Sequence, residues 1–372
     1  MKAHVTPLLL LAAALSVTAD EPGRIKTEHL VGAIRWDAWH GNRGVPGQAV
    51  QHTLGPRKWH DRLPFFAEVR GHDDVTIDGT SQEIMDREID YASEAGLDYW
   101  AFVTYRPDDV MSLGLKRYLT STKRDRIRFC LITECARWGE SAYVEGLSDL
   151  MTVPGYLKVL DGRPVLYLGF ISEEWITRRF DDATAFRKVV DGLRDAARRK
   201  GAGDPYLVIM DFHPDKAKDW LDALGGDAIS SYAAQGNAEA APYAALADYA
   251  ETFWNRCKAT GAQVVPILMA GWDRRPRVAR PVPWETWQQP NVGIEKYYET
   301  PTPEKLARHV ARGLEWLEAN EPHARAQLAI IYAWNENDEG GWLIPTLSQG
   351  TARLDALRPV LRPGRTPTQQ AP

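Results

Sequence analysis

The sequence predicts one α/β domain, a single (β/α)8 barrel with long βα loops. Three observations carry this expectation. Eight short apolar runs are rich in β-branched and aromatic residues, amphipathic stretches of helical period separate them, and polar residues gather where the runs end.

Taken in order, the first run covers 30–36 and opens into a long loop over 41–82. A helix over 81–95 leads into the second run at 98–104, and a weaker helical pattern over 109–119 into the third at 127–133. The segment 144–156 has room for a short helix before the fourth run at 164–169. Helices over 182–200, 215–224 and 243–260 then alternate with runs at 206–211, 228–232 and 263–269. A second long loop, 270–302, precedes a helix over 303–320, where Thr302-Pro303-Glu304 supplies an N-cap hydroxyl, a proline at the first helical position and an acid in the first turn. The eighth run is 327–334. Strands alternating with helices in this way describe a TIM barrel, and both long loops lie at the strand ends where such barrels build their sites.

The ends read differently. Lys2, an apolar run from Leu8 to Val17 and the small residues of Val17-Thr18-Ala19 have the form of a cleaved export signal over 1–19. Its apolar run is too short to span a bilayer, so the expected product is an exported periplasmic or extracellular chain without membrane insertion. The barrel is expected over 20–362, and a proline-, threonine- and glutamine-rich tail over 363–372 is expected to fray. The net charge of -5, with both signs dispersed, leaves no electrostatic footprint for nucleic acid. Cys130, Cys135 and Cys257 lack the spacing of a zinc knuckle and the number of a disulfide framework, and are read as buried small hydrophobes. No cofactor or metal is expected. Fourteen tryptophans tilt the expected ligand toward carbohydrate, since aromatic faces match the apolar C–H faces of sugars.

Polar residues at the ends of the runs are candidates for one converging pocket. They are Trp36, Asp37, Trp39 and His40 after the first, Tyr105 after the second, Glu134 after the third, Asp211 and His213 after the fifth and Tyr232 after the sixth. Trp272, Asp273 and Arg274 follow the seventh, and Asn335 and Trp342 the eighth. Each has a plainer reading: a turn cap for Asp37, satisfied structural histidines, surface ion pairs for Arg274, Arg275 and Arg277.

The strongest chemical signal is Trp334-Asn335-Glu336-Asn337-Asp338-Glu339-Gly340-Gly341-Trp342. Glu336 and Glu339 are three residues apart on a turn after the last run, so both carboxyl groups can face one cavity. Like charges that close raise one pKa and yield an acid beside a base, the division of labour that glycosidic cleavage needs. Trp334 and Trp342 offer stacking faces. A solvated acidic turn and a calcium loop through Asn337, Asp338 and Glu339 compete with this reading, although the spacing of a calcium loop is absent.

Ala333-Trp334-Asn335-Glu336-Asn337-Asp338-Glu339-Gly340 resembles the W-N-E-x-x-E-G pattern of glycoside hydrolase family 99 and of the wider family 99-like group that includes WbsX-type proteins. Gly271-Trp272-Asp273 before a Pro-Arg, and Ile89-Asp90-Tyr91-Ala92 leading into Gly96-Leu97-Asp98-Tyr99-Trp100, support it. The resemblance implies a (β/α)8 hydrolase of α-mannosides that retains configuration through the sugar's own 2-hydroxyl. Glu336 would assist that hydroxyl, and Glu339 would protonate the leaving oxygen. The sequence departs from the pattern at Asn337, where the hydrolases carry an aromatic residue, and at Gly341, where they carry a small hydroxyl residue. The expected partner is an oligo- or polysaccharide. The alternatives are a non-catalytic glycan-binding barrel and a WbsX-like protein of polysaccharide biosynthesis.

Overall fold

A computed structural model describes residues 29–363; the signal segment and all of the tail except Pro363 lie outside them. Eight parallel strands form the barrel: β1 (Leu30–Arg35), β2 (Tyr99–Val103), β3 (Arg128–Glu134), β4 (Arg163–Gly169), β5 (Tyr206–Met210), β6 (Ala228–Ser230), β7 (Ile267–Met269) and β8 (Leu328–Tyr332). Sequential neighbours pair from β1 to β6, and β8 lies between β7 and β1. The β6–β7 seam closes through Pro266. Before it, Ile229 bridges Val264, with Val265 N–H donating to Ile229 O at 2.9 Å. After it, the chain turns to pair with β8, and the Pro266 carbonyl accepts Ile330 N–H at 3.1 Å. Proline has no N–H to give a ladder, so the run 263–269 is divided between two neighbours.

Inside the barrel, the Tyr99 hydroxyl donates to Ala329 O at 2.8 Å and lies 3.0 Å from the Tyr167 hydroxyl, tying β2, β4 and β8. Gly32 stands opposite Tyr99 in the β1–β2 register. A Cβ there would come within 2.4 Å of the Tyr99 ring, so glycine is what lets this ring cross the interior.

The five expected helices form: Gln82–Ala95, Ala183–Arg199, Pro214–Leu224, Tyr243–Ala259 and Pro303–Ala319. Ser81, Asp182 and Thr302 accept the N–H groups of Ile84, Ala185 and Lys305 as N-caps. The weaker pattern at 109–119 resolves into a 3-10 turn, Val110–Ser112, and a helix, Leu113–Thr120, while the short helix before β4 is Ser141–Leu150. Four α-helices were not anticipated: Val45–Leu54 in the first long loop, Glu173–Phe180 after β4, the short Arg275–Ala279 after β7, and Ala352–Leu361 after β8. The last carries Pro359 and a weak apolar stripe, yet it buries Leu354 and Leu357 and its Arg358 binds Glu94 O at 3.0 Å. Cys130, Cys135 and Cys257 are free and buried. No helix among the described residues is long and apolar enough to cross a membrane.

Gly32→Ala should destabilise the fold by about 1–3 kcal/mol, the usual cost of overpacking a close-packed core, because Tyr99 is held at both its ring and its hydroxyl. Denaturant midpoints would read this, and an unchanged midpoint would show that the ring can move aside.

Candidate active site

The acidic segment after β8 folds into a small hairpin. Asn335 and Glu336 pair antiparallel with Trp342 and Gly341, and Asn337–Glu339 form a 3-10 turn at the tip. Gly340 closes it with φ of 86°, a left-handed value that suits glycine. Gly340 also lets the loop after β7 come close: a Cβ there would lie 2.4 Å from Asp273 N, and one on Gly271 would lie 2.1 Å from Gly340 O. Across this contact Asp273 N–H donates to Glu339 O at 2.7 Å.

That close approach delivers Arg277, on the short helix Arg275–Ala279, into the acidic segment. Its guanidinium grips Asp338 through Nε (2.7 Å) and Nη2 (3.0 Å), Glu339 through Nη1 (2.5 Å) and Glu336 through Nη2 (3.2 Å). The cation at the centre of the three carboxylates is thus a side chain. Arg274 Nε adds a bond to Glu339 at 3.0 Å, and Glu285 pairs with Arg274 and lies 3.6 Å from Arg277.

These partners separate the two glutamates. Both are buried, Glu336 to 3% exposure. Burial, then the charge of Glu339, pushes the Glu336 carboxyl up to about 8, with only Tyr232 (2.8 Å) and the longer Arg277 contact opposing. Burial also pushes on Glu339, but Arg277, Arg274 and the Tyr332 hydroxyl outweigh it and hold that carboxyl below its ordinary value. At neutral pH these opposite shifts favour a proton on Glu336 and a charge on Glu339.

Several sequence candidates surround the pair. Tyr232 donates to Glu336, and Trp272 packs on Tyr332 at 5.5 Å. Trp36 donates from its indole to the Tyr105 hydroxyl at 2.6 Å, packs on Trp284 at 5.6 Å and lies 5.3 Å from the Arg277 guanidinium. Tyr105 stacks under Arg137, which binds Glu134 at 3.2 Å, and burial raises the Glu134 carboxyl.

Other candidates hold the site in place. Asn335 bonds both ways with Trp36, accepting its N–H at 2.9 Å and donating to its carbonyl at 2.8 Å, so its amide staples β1 to β8. Asp37 binds Arg35 at 2.7 Å, and burial raises its carboxyl to about 6; Arg35 also pairs with Glu88, which accepts the Trp334 indole N–H at 2.7 Å.

Seven candidates are turned away from any ligand or committed elsewhere. Asp273 is buried, with both oxygens taken by Arg62 and Arg275, and these contacts outweigh burial to hold its carboxyl low. Trp342 is buried against Arg353 (3.7 Å) and Arg62 (5.7 Å), while Trp334 is buried against Trp100 at 5.1 Å; neither offers a stacking face. Trp39 is buried against Phe66, and His40 packs where a Cβ on Gly47 would come within 2.6 Å of its ring. His213 is exposed at the start of the helix after β5, and Asp211 accepts its N–H at 2.8 Å in an Asx turn.

Sequence reasoning placed Arg277 after the seventh run with a surface ion pair as its plainer reading, left it out of the candidate set, and did not single out Glu285 or Tyr332. Tyr332 could have been found from its place as the last residue of β8; Glu285 lies in a loop without a pattern.

No protein-family model matches this chain, and no curated protein matches it. Among solved structures, it resembles the GH99 endo-alpha-mannosidase from Bacteroides thetaiotaomicron in complex with bis-tris-propane, with a TM-score of 0.56 at 14% identity, covering 89% of this chain and 94% of that one. A second structure of a GH99 endo-alpha-mannosidase from the same organism gives a TM-score of 0.54 at 13% identity, covering 89% and 95%. The chain shares their fold. That shared fold is the (β/α)8 barrel described above.

The proton on Glu336 has a stability consequence. Between the ordinary carboxylate value and about 8, the folded protein keeps a proton that the unfolded chain releases, so stability falls as pH rises through that window. Glu336→Gln removes this dependence. Its Tm advantage over the wild type should therefore widen from pH 5 to pH 8 in scanning calorimetry; a gap independent of pH would mean that Glu336 is ionised in the folded protein.

Proposed function

We propose that this chain is an exported glycoside hydrolase that cleaves a glycosidic bond in an oligo- or polysaccharide, an α-mannoside foremost, using Glu336 and Glu339. The observation that carries the reading is the pair itself: two buried carboxyl groups at the end of β8, held by different partners that push one above and the other below its ordinary value, beside aromatic rings suited to sugar faces. Such a pair can donate a proton to a leaving oxygen and accept one elsewhere within one turnover.

Retention through the 2-hydroxyl needs no bond to the protein. One carboxylate takes the O2 proton as O2 attacks C1, the other acid protonates the departing oxygen, and a three-membered ring closes between C1 and C2. Water then opens the ring at C1, giving its proton to the second residue, while the first returns a proton to O2. Motif position gives Glu336 the O2 role and Glu339 the leaving-group role. The resting charges favour the opposite allocation, since the proton sits on Glu336; under the first allocation substrate binding must transfer it to Glu339.

A glycan-panel digest with product anomers read by NMR should give a retained product, and an inverted one would overturn the 2-hydroxyl route. Glu336→Gln and Glu339→Gln should each lower turnover on that glycan by about a thousandfold or more, in line with the loss of an acid–base group. On a glycosyl fluoride, whose departure needs no acid, Glu339→Gln should keep fluoride release in the first turnover, and azide, a nucleophile that needs no base, should restore its steady-state rate; Glu336→Gln should do neither, and the reverse pattern exchanges the roles. The pair works with one proton, so kcat/KM should fall above about pH 8, where Glu336 loses it.

A further inference from the structure

Two exposed rings beside the carboxylate pair have no part in the chemistry above. Phe170, the first residue after β4, and Phe212, two residues after β5, leave 47% and 43% of their surface in solvent. Their ring centroids are 6.4 Å apart. A phenyl ring has no polar atom to keep in water, and neighbouring exposed apolar groups mark places where something binds.

The backbone gives a second, independent observation. Phe170 has φ of 53°, in the left-handed region that bulky side chains rarely occupy. This turn at the exit of β4 lays the Phe170 ring against Tyr232, with centroids 5.2 Å apart. The Tyr232 hydroxyl in turn donates to Glu336 at 2.8 Å. The rings therefore form a track, Tyr232, Phe170, Phe212, that begins at the catalytic pair and runs over the carboxyl ends of β4 to β6.

We propose that Phe170 and Phe212 form a platform for a second sugar ring, next to the one whose bond is cut, so that the cleft recognises a glycan chain and not a lone sugar. The proposal rests on the glycosidase reading. A pyranose presents an apolar C–H face that a phenyl ring can cover while its hydroxyls stay in water. Tyr232 lies between the platform and Glu336, which places the stacked sugar outside the reacting position. The unfavourable backbone at Phe170 is what keeps its ring raised at the mouth and out of the core.

Affinity electrophoresis in gels containing yeast mannan, dextran, xylan or barley β-glucan tests this, with Glu339→Gln as the background so that the polysaccharide is not consumed. At least one polysaccharide should retard the Glu339→Gln protein. Adding Phe170→Ala and Phe212→Ala should weaken that binding about tenfold, or about 1.4 kcal/mol, and Phe170→Trp should restore it. Phe170→Gly removes the ring but suits the left-handed backbone, so it should show loss of binding with an unchanged or higher Tm. In the active protein, turnover of a single-sugar glycosyl fluoride should be unaffected by the two alanines. Equal retardation with and without the rings would overturn the platform and leave the glycosidase reading standing, and an equal loss on the single-sugar fluoride would move the rings into the reacting position and overturn it too. Failure of every polysaccharide to retard the protein, with no turnover of the fluoride, would instead remove the glycosidase reading and the platform with it.

Discussion

The guanidinium of Arg277 is the interaction on which the rest of the site depends. Glu336, Asp338, Glu339 and Glu285 lie around only two cations, Arg274 and Arg277. Four buried carboxyl groups outnumber the two guanidinium groups, and an unpaired charge in the interior costs several kcal/mol, so burial pushes Glu336 and Glu285 above the ordinary carboxylate value. Between the two glutamates of the pair, geometry selects which is raised. Glu339 receives both arginines and a tyrosine hydroxyl, whereas Glu336 receives the longest arm of Arg277 and one hydroxyl. The acid–base asymmetry of the pair follows from counting charges and contacts around one side chain. Arginine suits this position because its planar fork serves three acceptors at once, which a lysine ammonium could not do with the same fixed directions.

Arg277 reaches that position only because the loops after β7 and β8 touch at Gly271 and Gly340, where a side chain on either would strike backbone. A second buried network holds the other side of the mouth. Arg35 joins Asp37 and Glu88, Glu88 holds the Trp334 indole, and Asn335 ties Trp36 to the end of β8. The catalytic candidates thus stand on strand ends fixed by buried ionic and amide contacts, the kind of support that keeps reacting groups in one geometry.

Much of the fold was legible in the chain. The eight apolar runs became the eight barrel strands, since burial on both faces forces continuous β-branched and aromatic stretches. N-caps at Ser81, Asp182 and Thr302 fixed helix starts because a side-chain oxygen serves backbone N–H groups only three residues away. The helix Ala352–Leu361 was not legible: Pro359 argues against a helix locally, and what stabilises it is packing against distant helices. In the same way, Trp342 and Asp273 read as ligand contacts by their place after a strand. Their burial against Arg62, 280 and 211 residues away in the chain respectively, is a property of the folded loops.

The sequence by itself determined the barrel, the acidic segment at the mouth of its last strand and the two glutamates three residues apart, because periodicity, capping and spacing act over short stretches of chain. Only the tertiary structure decided which glutamate is pushed up and which is held low, that Arg277 lies among the carboxylates, and which aromatic rings face solvent. Those outcomes depend on contacts between strands and loops far apart in sequence, and on the low dielectric that their burial creates, neither of which is written in any local pattern.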